Sequence, residues 1–348
     1  MSEIKVIFTG GTIGSLADGN NINTDEKAKR MLIDLYSKQS KSCENNAKNF
    51  DIVAPINILS ENAIVDDVLA MANEIKEAEK QGAKGVIMTH GSDTLAYSGA
   101  YLSFLLYDIK IPVVLVASNY ILTDAKANGL ANFTTAVDFL NSKNAKSGIF
   151  VSYKNPQDNF VSIHLASRMC EPGPYSDSFY SIDGLRYAKS ENGKIVFENT
   201  KFEKTDKKFK FESEFTKSAL YINPFTGLDY NVYKNKKYDF VLHNLYHSGT
   251  ANTQNYVNEN FDTNILNFAK YLQNENIPLY LVNIKNRDMN YDSTNKMKKL
   301  GVKFLYDTLP NVALAKLNVA YNLLPKDKID EFLETNISGE MIAEQSKK

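Results

Sequence analysis

Cysteine is nearly absent. The 348 residues hold two, Cys43 and Cys170, too few for a disulfide framework, so two free thiols in a reducing compartment are expected. An excess of one charge is also missing. Lys and Arg number 40 against 41 Asp and Glu, for a net charge of -1, which favours neither nucleic acid nor an anionic membrane as partner. Small polar or zwitterionic molecules remain. No apolar run reaches the roughly 20 residues of a membrane span. The opening MSEIKVIFTGG has neither a basic n-region nor a long apolar h-region, and the expected location is cytoplasmic. Neither an internal repeat nor a low-complexity tract breaks the chain, although Asn and Lys are heavily used.

What is present is an alternation of short apolar runs with amphipathic ones. The most informative stretch is KGVIMTHGSDTLAYSGAYLSFLL, from Lys84 to Leu106. Gly85 to Thr89 reads as a buried parallel strand, His90-Gly91-Ser92-Asp93-Thr94 as a turn, and Leu95, Ser98, Gly99, Leu102 and Leu105 as the face of a helix. Such a turn gathers hydroxyls, a carboxylate and free backbone N–H groups where open α/β sheets bind ligands. Ile4 to Thr9 is a similar strand, closed by Gly10-Gly11-Thr12-Ile13-Gly14-Ser15. Its glycine spacing is not a dinucleotide fingerprint, and no P-loop lysine follows. Ile52 to Leu59 reads as a third strand running into Ser60-Glu61-Asn62, and Ile111 to Val116 as a fourth leading to Ala117-Ser118-Asn119. Helices are expected over 28–36, 66–81 and 132–140, a polar loop over 16–26, and loose chain over 39–49.

The alternation predicts an α/β fold: a larger N-terminal parallel sheet with helices on both faces, the strand-end turns along one edge, and a smaller C-terminal α/β domain. The expected division is 1–195, a charged linker at 196–217, and 218–348. His243 and His247 have the i,i+4 spacing of helical metal ligands, but no third ligand stands out, and neither metal nor cofactor is expected.

Thr12, Ser92, Asp93 and Ser60-Glu61 are open to two readings. As local structure they are turn hydroxyls, N-caps and first-turn carboxylates. As chemistry they are nucleophile, relay and substrate clamp.

TGGTIGS, THGSDTLAY, PVVLVASN with the later Asn128-Gly129-Leu130-Ala131-Asn132, and the C-terminal LGVKFLYDTLPNVALAKLNVAYNLL together resemble the bacterial asparaginase (asparaginase/glutaminase) family, nearest its cytoplasmic type. The resemblance covers most of the chain and is weakest over 153–217. It implies hydrolysis of L-asparagine to L-aspartate and ammonia, with Thr12 as nucleophile and Ser92 at the family's second catalytic threonine. Asp93 would face the substrate ammonium, Ser60 would hold its α-carboxylate, and Glu61 would be a further ammonium partner. Backbone N–H groups of Gly11, Gly91 and Ser92 would serve the anions, and Asn119 would line the substrate site. The resemblance also implies a homodimer or homotetramer whose sites take groups from a neighbouring protomer, here from 247–252 or 290–294.

Two departures stand against that pattern. The family's catalytic lysine belongs near Ile163 to Glu171, where this chain reads IHLASRMCE and offers Arg168. Arginine stays protonated and cannot be a base, although it can fix Asp93 by a bidentate pair. The family's loop tyrosine is missing from 16–26. Loss of proton transfer costs a factor of roughly 10²–10⁴ in rate. The alternative is therefore a degenerate relative that binds a small amino acid or amide as a sensor or partner protein.

Overall fold

A computed structural model describes residues 3–19, 21–202, 204–212, 214–255, 260–284 and 289–342. The chain divides into two compact units, Met1–Lys204 and Thr205–Lys348.

The first unit contains strands β1 (Ile4–Ile7), β2 (Ser15–Asp18) and β3 (Asn21–Thr24), helices α1 (Glu26–Ser37) and α2 (Lys41–Ala47), strand β4 (Phe50–Val53) and helix α3 (Val65–Lys80). Strand β5 (Gly85–Thr89), helix α4 (Leu95–Leu105), strand β6 (Pro112–Val116), helix α5 (Gly129–Asn141) and strands β7 (Gly148–Tyr153), β8 (Val161–Leu165), β9 (Ala188–Glu191) and β10 (Lys194–Phe197) follow. Eight strands form one sheet in the order β10-β9-β8-β7-β6-β5-β1-β4. The strands β4, β1, β5, β6 and β7 run parallel, while β8, β9 and β10 each pair antiparallel with the strand before them. On one face, Val6, Phe8, Ile87, Val114 and Phe150 pack with Leu32 and Tyr36 of α1 and Phe133 and Val137 of α5. On the other, α4 lies so close that a methyl group on Gly99 would be 3.5 Å from Leu115 and 3.9 Å from Val151. Helices therefore cover both faces, which is why these strands are apolar throughout.

The parallel strands carry the order β4-β1-β5-β6-β7. After β1 the chain moves to one side for β4 and then returns to the other for β5, so the order reverses between β1 and β5. That reversal point, at the carboxyl ends of the strands, is where an open α/β sheet forms its crevice.

The second unit is a four-stranded parallel sheet in simple order, β11 (Ala219–Ile222), β12 (Phe240–Asn244), β13 (Leu279–Ile284) and β14 (Lys303–Tyr306), with helices α6 (Ile265–Asn274), α7 (Asp292–Lys299), α8 (Pro310–Leu323) and α9 (Ile329–Glu334). A core of Val241, Leu281, Phe268, Leu272 and Met297 holds sheet and helices together.

The α/β architecture of both units follows the sequence reading, with local corrections. Residues 15–24 are not a loop but the β2–β3 hairpin, in register from Ser15↔Thr24 to Asp18↔Asn21; Asn20 lies outside the described residues. The loose 39–49 segment contains α2, which Ser40 caps by accepting from the Cys43 N–H at 3.2 Å. Strand β4 begins two residues before the expected Ile52 and ends at Val53. Beyond it, Ile58 keeps a single bridge to Gly10. The stretch after Tyr153, where the resemblance is weakest, holds the fully buried β8, and the β9–β10 hairpin extends the large sheet. Parts of the expected linker, Glu203 and Ser213, are outside the described residues.

Candidate active site

Three turns meet at the reversal point. Gly10 and Gly11 follow β1 with φ of 110° and 74°, the left-handed region that glycine enters without strain. The Gly11 N–H donates to Ile58 O at 3.1 Å, and Ile58 N–H to Thr9 O at 2.9 Å, tying this turn to the chain after β4. A methyl group on Gly11 would lie 2.4 Å from the Gly91 nitrogen, so the first turn and the turn after β5 are in backbone contact. A methyl group on Gly91 would lie 2.2 Å from Ser60 Oγ, so the third turn closes on the same point. Beneath them, Thr9 donates twice to Thr89, its Oγ1 to Thr89 O at 2.5 Å and its N–H to Thr89 Oγ1 at 3.1 Å. Thr94 Oγ1 donates to Ser60 O at 3.1 Å. These threonine links were not foreseen from the sequence; a threonine closing each of two neighbouring strands was the available signal.

Four nominated residues thus converge: Gly11, Gly91, Ser60 and Asp93, the last accepting from Ser60 Oγ at 3.3 Å. Thr12 extends from Gly11 in a short 3-10 turn, Thr12–Gly14, and Ser92 lies between Gly91 and Asp93. Both hydroxyls are half-buried, and among the described residues neither caps a helix nor makes a hydrogen bond. The N-cap position of α4 is held by Thr94, whose side chain makes no capping bond. Backbone N–H groups of Gly91, Ser92, Asp93 and Thr94 likewise donate to no described residue, leaving a cluster of donors beside a helix start, suited to an anion. Glu61 is exposed in the 3-10 turn Ser60–Asn62.

Three expectations change. The Gly11 N–H is committed to Ile58 and is not available to substrate. The Ser60 hydroxyl directs its one proton to Asp93 here, so it is not a free donor for a carboxylate. The Arg168–Asp93 pair is not formed: no ion pair joins them among the described residues. Because β8 runs antiparallel to β7, its end at Leu165 pairs with Phe150. The following 3-10 turn, Ala166–Arg168, packs on α4 with Ala166 3.1 Å from a methyl group on Gly99. Arg168 is buried there, whereas Asp93 is exposed.

Asn119 sits apart from this cluster. Its N–H donates to Asn128 Oδ1 at 2.9 Å and its Oδ1 accepts from Asn128 N–H at 3.1 Å. It borders a polar cavity of about 400 Å³ with Lys126, Lys154, Asn155 and Asp177, which no other nominated residue lines. His243 belongs to a strand, so its spacing to His247 is not that of one helical face. Its Nε2 pairs with Tyr230 Oη at 2.9 Å, and His247 is exposed beside Ser248. No cluster of three metal-ligating side chains occurs among the described residues. No helix among them is long and apolar enough to cross a membrane.

The family description "Asparaginase, N-terminal" matches residues 3–200. The chain belongs to the asparaginase family of amidohydrolases. It is 25% identical over 351 residues to a glutamyl-tRNA(Gln) amidotransferase component from Methanosphaera stadtmanae, covering 97% of this chain and 76% of that protein. To the corresponding amidotransferase component from Saccharolobus solfataricus it is 26% identical over 355 residues, covering 98% of this chain and 76% of the relative. Among solved structures, L-asparaginase I from Vibrio cholerae superposes with a TM-score of 0.75 at 19% identity, covering 98% of this chain and 99% of the other. The thermostable L-asparaginase from Thermococcus kodakarensis superposes with 0.72 at 20% identity, covering 97% and 99%. At these identities the two structures speak for the fold.

Proposed function

We propose that the chain hydrolyses the side-chain amide of L-asparagine to L-aspartate and ammonia through an acyl-enzyme on Thr12. The observation that carries this reading is the backbone contact of Gly11 with Gly91, which brings the Thr12 turn and the Ser92-Asp93 turn into one crevice. The Thr12 hydroxyl attacks the amide carbon and loses its proton to the departing nitrogen, with Ser92 as relay. Gly91 and Ser92 N–H groups stabilise the oxyanion, a service worth roughly 10²–10³ in rate per donor. Ammonia leaves, an ester remains on Thr12, and water directed by Ser92 releases aspartate. Asp93, oriented by Ser60, faces the substrate ammonium, with Glu61 at the rim. The reading includes a homo-oligomer and a cytoplasmic setting, in keeping with Cys43 and Cys170 both being free.

A second reading is carried by Arg168, the residue expected at the family's lysine: it is buried in the turn against α4 and forms no pair with Asp93 among the described residues, and a guanidinium supplies no base, so that the chain binds an amino acid or amide without turnover. Ammonia release from asparagine and from glutamine, measured beside isothermal titration with the same compounds, separates the two. Release of ammonia from asparagine is the expected result. Binding with no release above background would establish the second reading instead.

A further inference from the structure

We infer that His90 is a positioning residue of this site: its ring holds the Gly91 carbonyl inward and so turns the Ser92 N–H toward the crevice. The inference rests on the amide-hydrolysis reading for its kinetic consequence, though not for its geometry.

His90 is 1% exposed. It is fixed at both ends, its N–H donating to Val116 O at 2.8 Å and its Nδ1 lying 2.7 Å from Gly91 O. A carbonyl oxygen only accepts, so Nδ1 carries the proton in this contact. Burial lowers the ring's pKa and so favours the neutral form, partly opposed by the Gly91 contact, which raises it. The Gly91–Ser92 peptide is not cis, and a planar trans peptide points its N–H opposite to its C=O. A carbonyl held on a buried ring therefore leaves the N–H of Ser92 facing away from the core. That N–H donates to no described residue, and Ser92 is half-buried. The glycine between them is closely packed: a methyl group on Gly11 would lie 2.4 Å from its nitrogen, and one on Gly91 itself 2.2 Å from Ser60 Oγ. The other ring nitrogen, Nε2, makes no hydrogen bond among the described residues. No described side chain is thus placed to take a proton from the ring, in keeping with a positioning role rather than that of a general base.

Two variants distinguish the role. His90→Asn retains an N–H donor near the place of Nδ1, while His90→Leu fills similar volume without one. Each is compared with the parent by urea unfolding, by kcat and KM for ammonia release, and by the Ser92 amide resonance in an NMR titration with L-aspartate. For His90→Leu the expected result is a folded protein whose kcat falls roughly 10²–10³-fold with KM within a few-fold, and whose Ser92 resonance no longer follows aspartate. His90→Asn is expected to restore most of both. Parent-like kcat and Ser92 response in folded His90→Leu would overturn the inference, as would His90→Asn being impaired to the extent of His90→Leu. If His90→Leu does not fold, His90→Asn decides alone, by keeping or losing the Ser92 response. A parent protein whose Ser92 amide follows aspartate but which releases no ammonia would refute the hydrolase reading and leave this inference standing.

Discussion

Gly11 and Gly91, eighty positions apart in the chain, touch through their backbones, with 2.4 Å between a methyl group built on the first and the nitrogen of the second. The contact exists because β1 and β5 are neighbours in register, Ile4↔Gly85 to Ile7↔Met88, and each ends in a glycine turn at the same height. Only residues without a Cβ allow the two turns to meet, and the crevice depends on that meeting.

Gly91→Ala is the sharpest test of this packing. Its methyl group would be 2.2 Å from Ser60 Oγ and 2.5 Å from Ser60 Cβ, and neither atom can retreat far because Ser60 is buried. A loss of roughly 1–3 kcal/mol in stability is expected, with ammonia release falling further than stability accounts for. Denaturant unfolding and a rate assay on the same sample check it; a variant that matches the parent in both would show that the crevice is wider than described.

Arg168→Lys should not raise activity. The segment packs on α4 at Gly99 and makes no pair with Asp93, and a shorter point charge leaves a guanidinium's acceptors unmet. The expected outcome is a stability loss of roughly 1–3 kcal/mol with kcat unchanged or lower. A gain in kcat would put position 168 in contact with the chemistry after all.

In the second unit, Lys316 Nζ and Glu340 Oε1 form an ion pair at 2.7 Å with side chains 3% and 0% exposed. Lys316 also donates to Leu333 O at 3.0 Å and Thr335 O at 2.7 Å, while Glu340 accepts from Ile337 N–H at 3.0 Å and Ser338 N–H at 2.7 Å. Glu340→Ala leaves a buried ammonium without its counter-ion and should cost roughly 3–5 kcal/mol, whereas Lys316→Met with Glu340→Leu should recover much of that. Urea unfolding of the single and double variants gives the comparison, and a single variant as stable as the parent would contradict it.

The stability of the first unit should fall in acid through His164. Burial, helped by the Arg186 charge, pushes this ring down to about 3. Its folded-state pKa thus lies below the ordinary value near 6.5. Above that value the ring is neutral in both states and its contribution is intact. As pH drops from 6.5 toward 3 the unfolded chain takes a proton that the folded chain refuses, with a slope of up to about 1.4 kcal/mol per pH unit. His164→Asn should flatten the unfolding midpoint between pH 6.5 and 4. An unchanged slope would mean that other groups set it.

Sequence legibility followed the locality of the cause. The turns after β1 and β5 were readable because an apolar run ending in Gly, Thr, Ser or Asp can do little else than stop and expose polar groups. By contrast, β8 is buried by its neighbours although Ser162 and His164 interrupt its apolar pattern, and its antiparallel direction, which carries Arg168 away from the expected partner, is fixed by pairing with β7. Helix α2 has no buried residue at all, and so no apolar stripe to read. The commitments of Gly11 to Ile58 and of Asn119 to Asn128 arise only when separated segments meet.

The central claim is that Thr12 forms an ester with the substrate's acyl group in this crevice. Acid quenching during turnover of L-asparagine, followed by digestion and mass spectrometry, tests it directly. The expected result is an aspartyl adduct on the peptide containing Thr12, absent from Thr12→Ala, which should also have lost ammonia release. An adduct on another residue, or turnover surviving in Thr12→Ala, would contradict it.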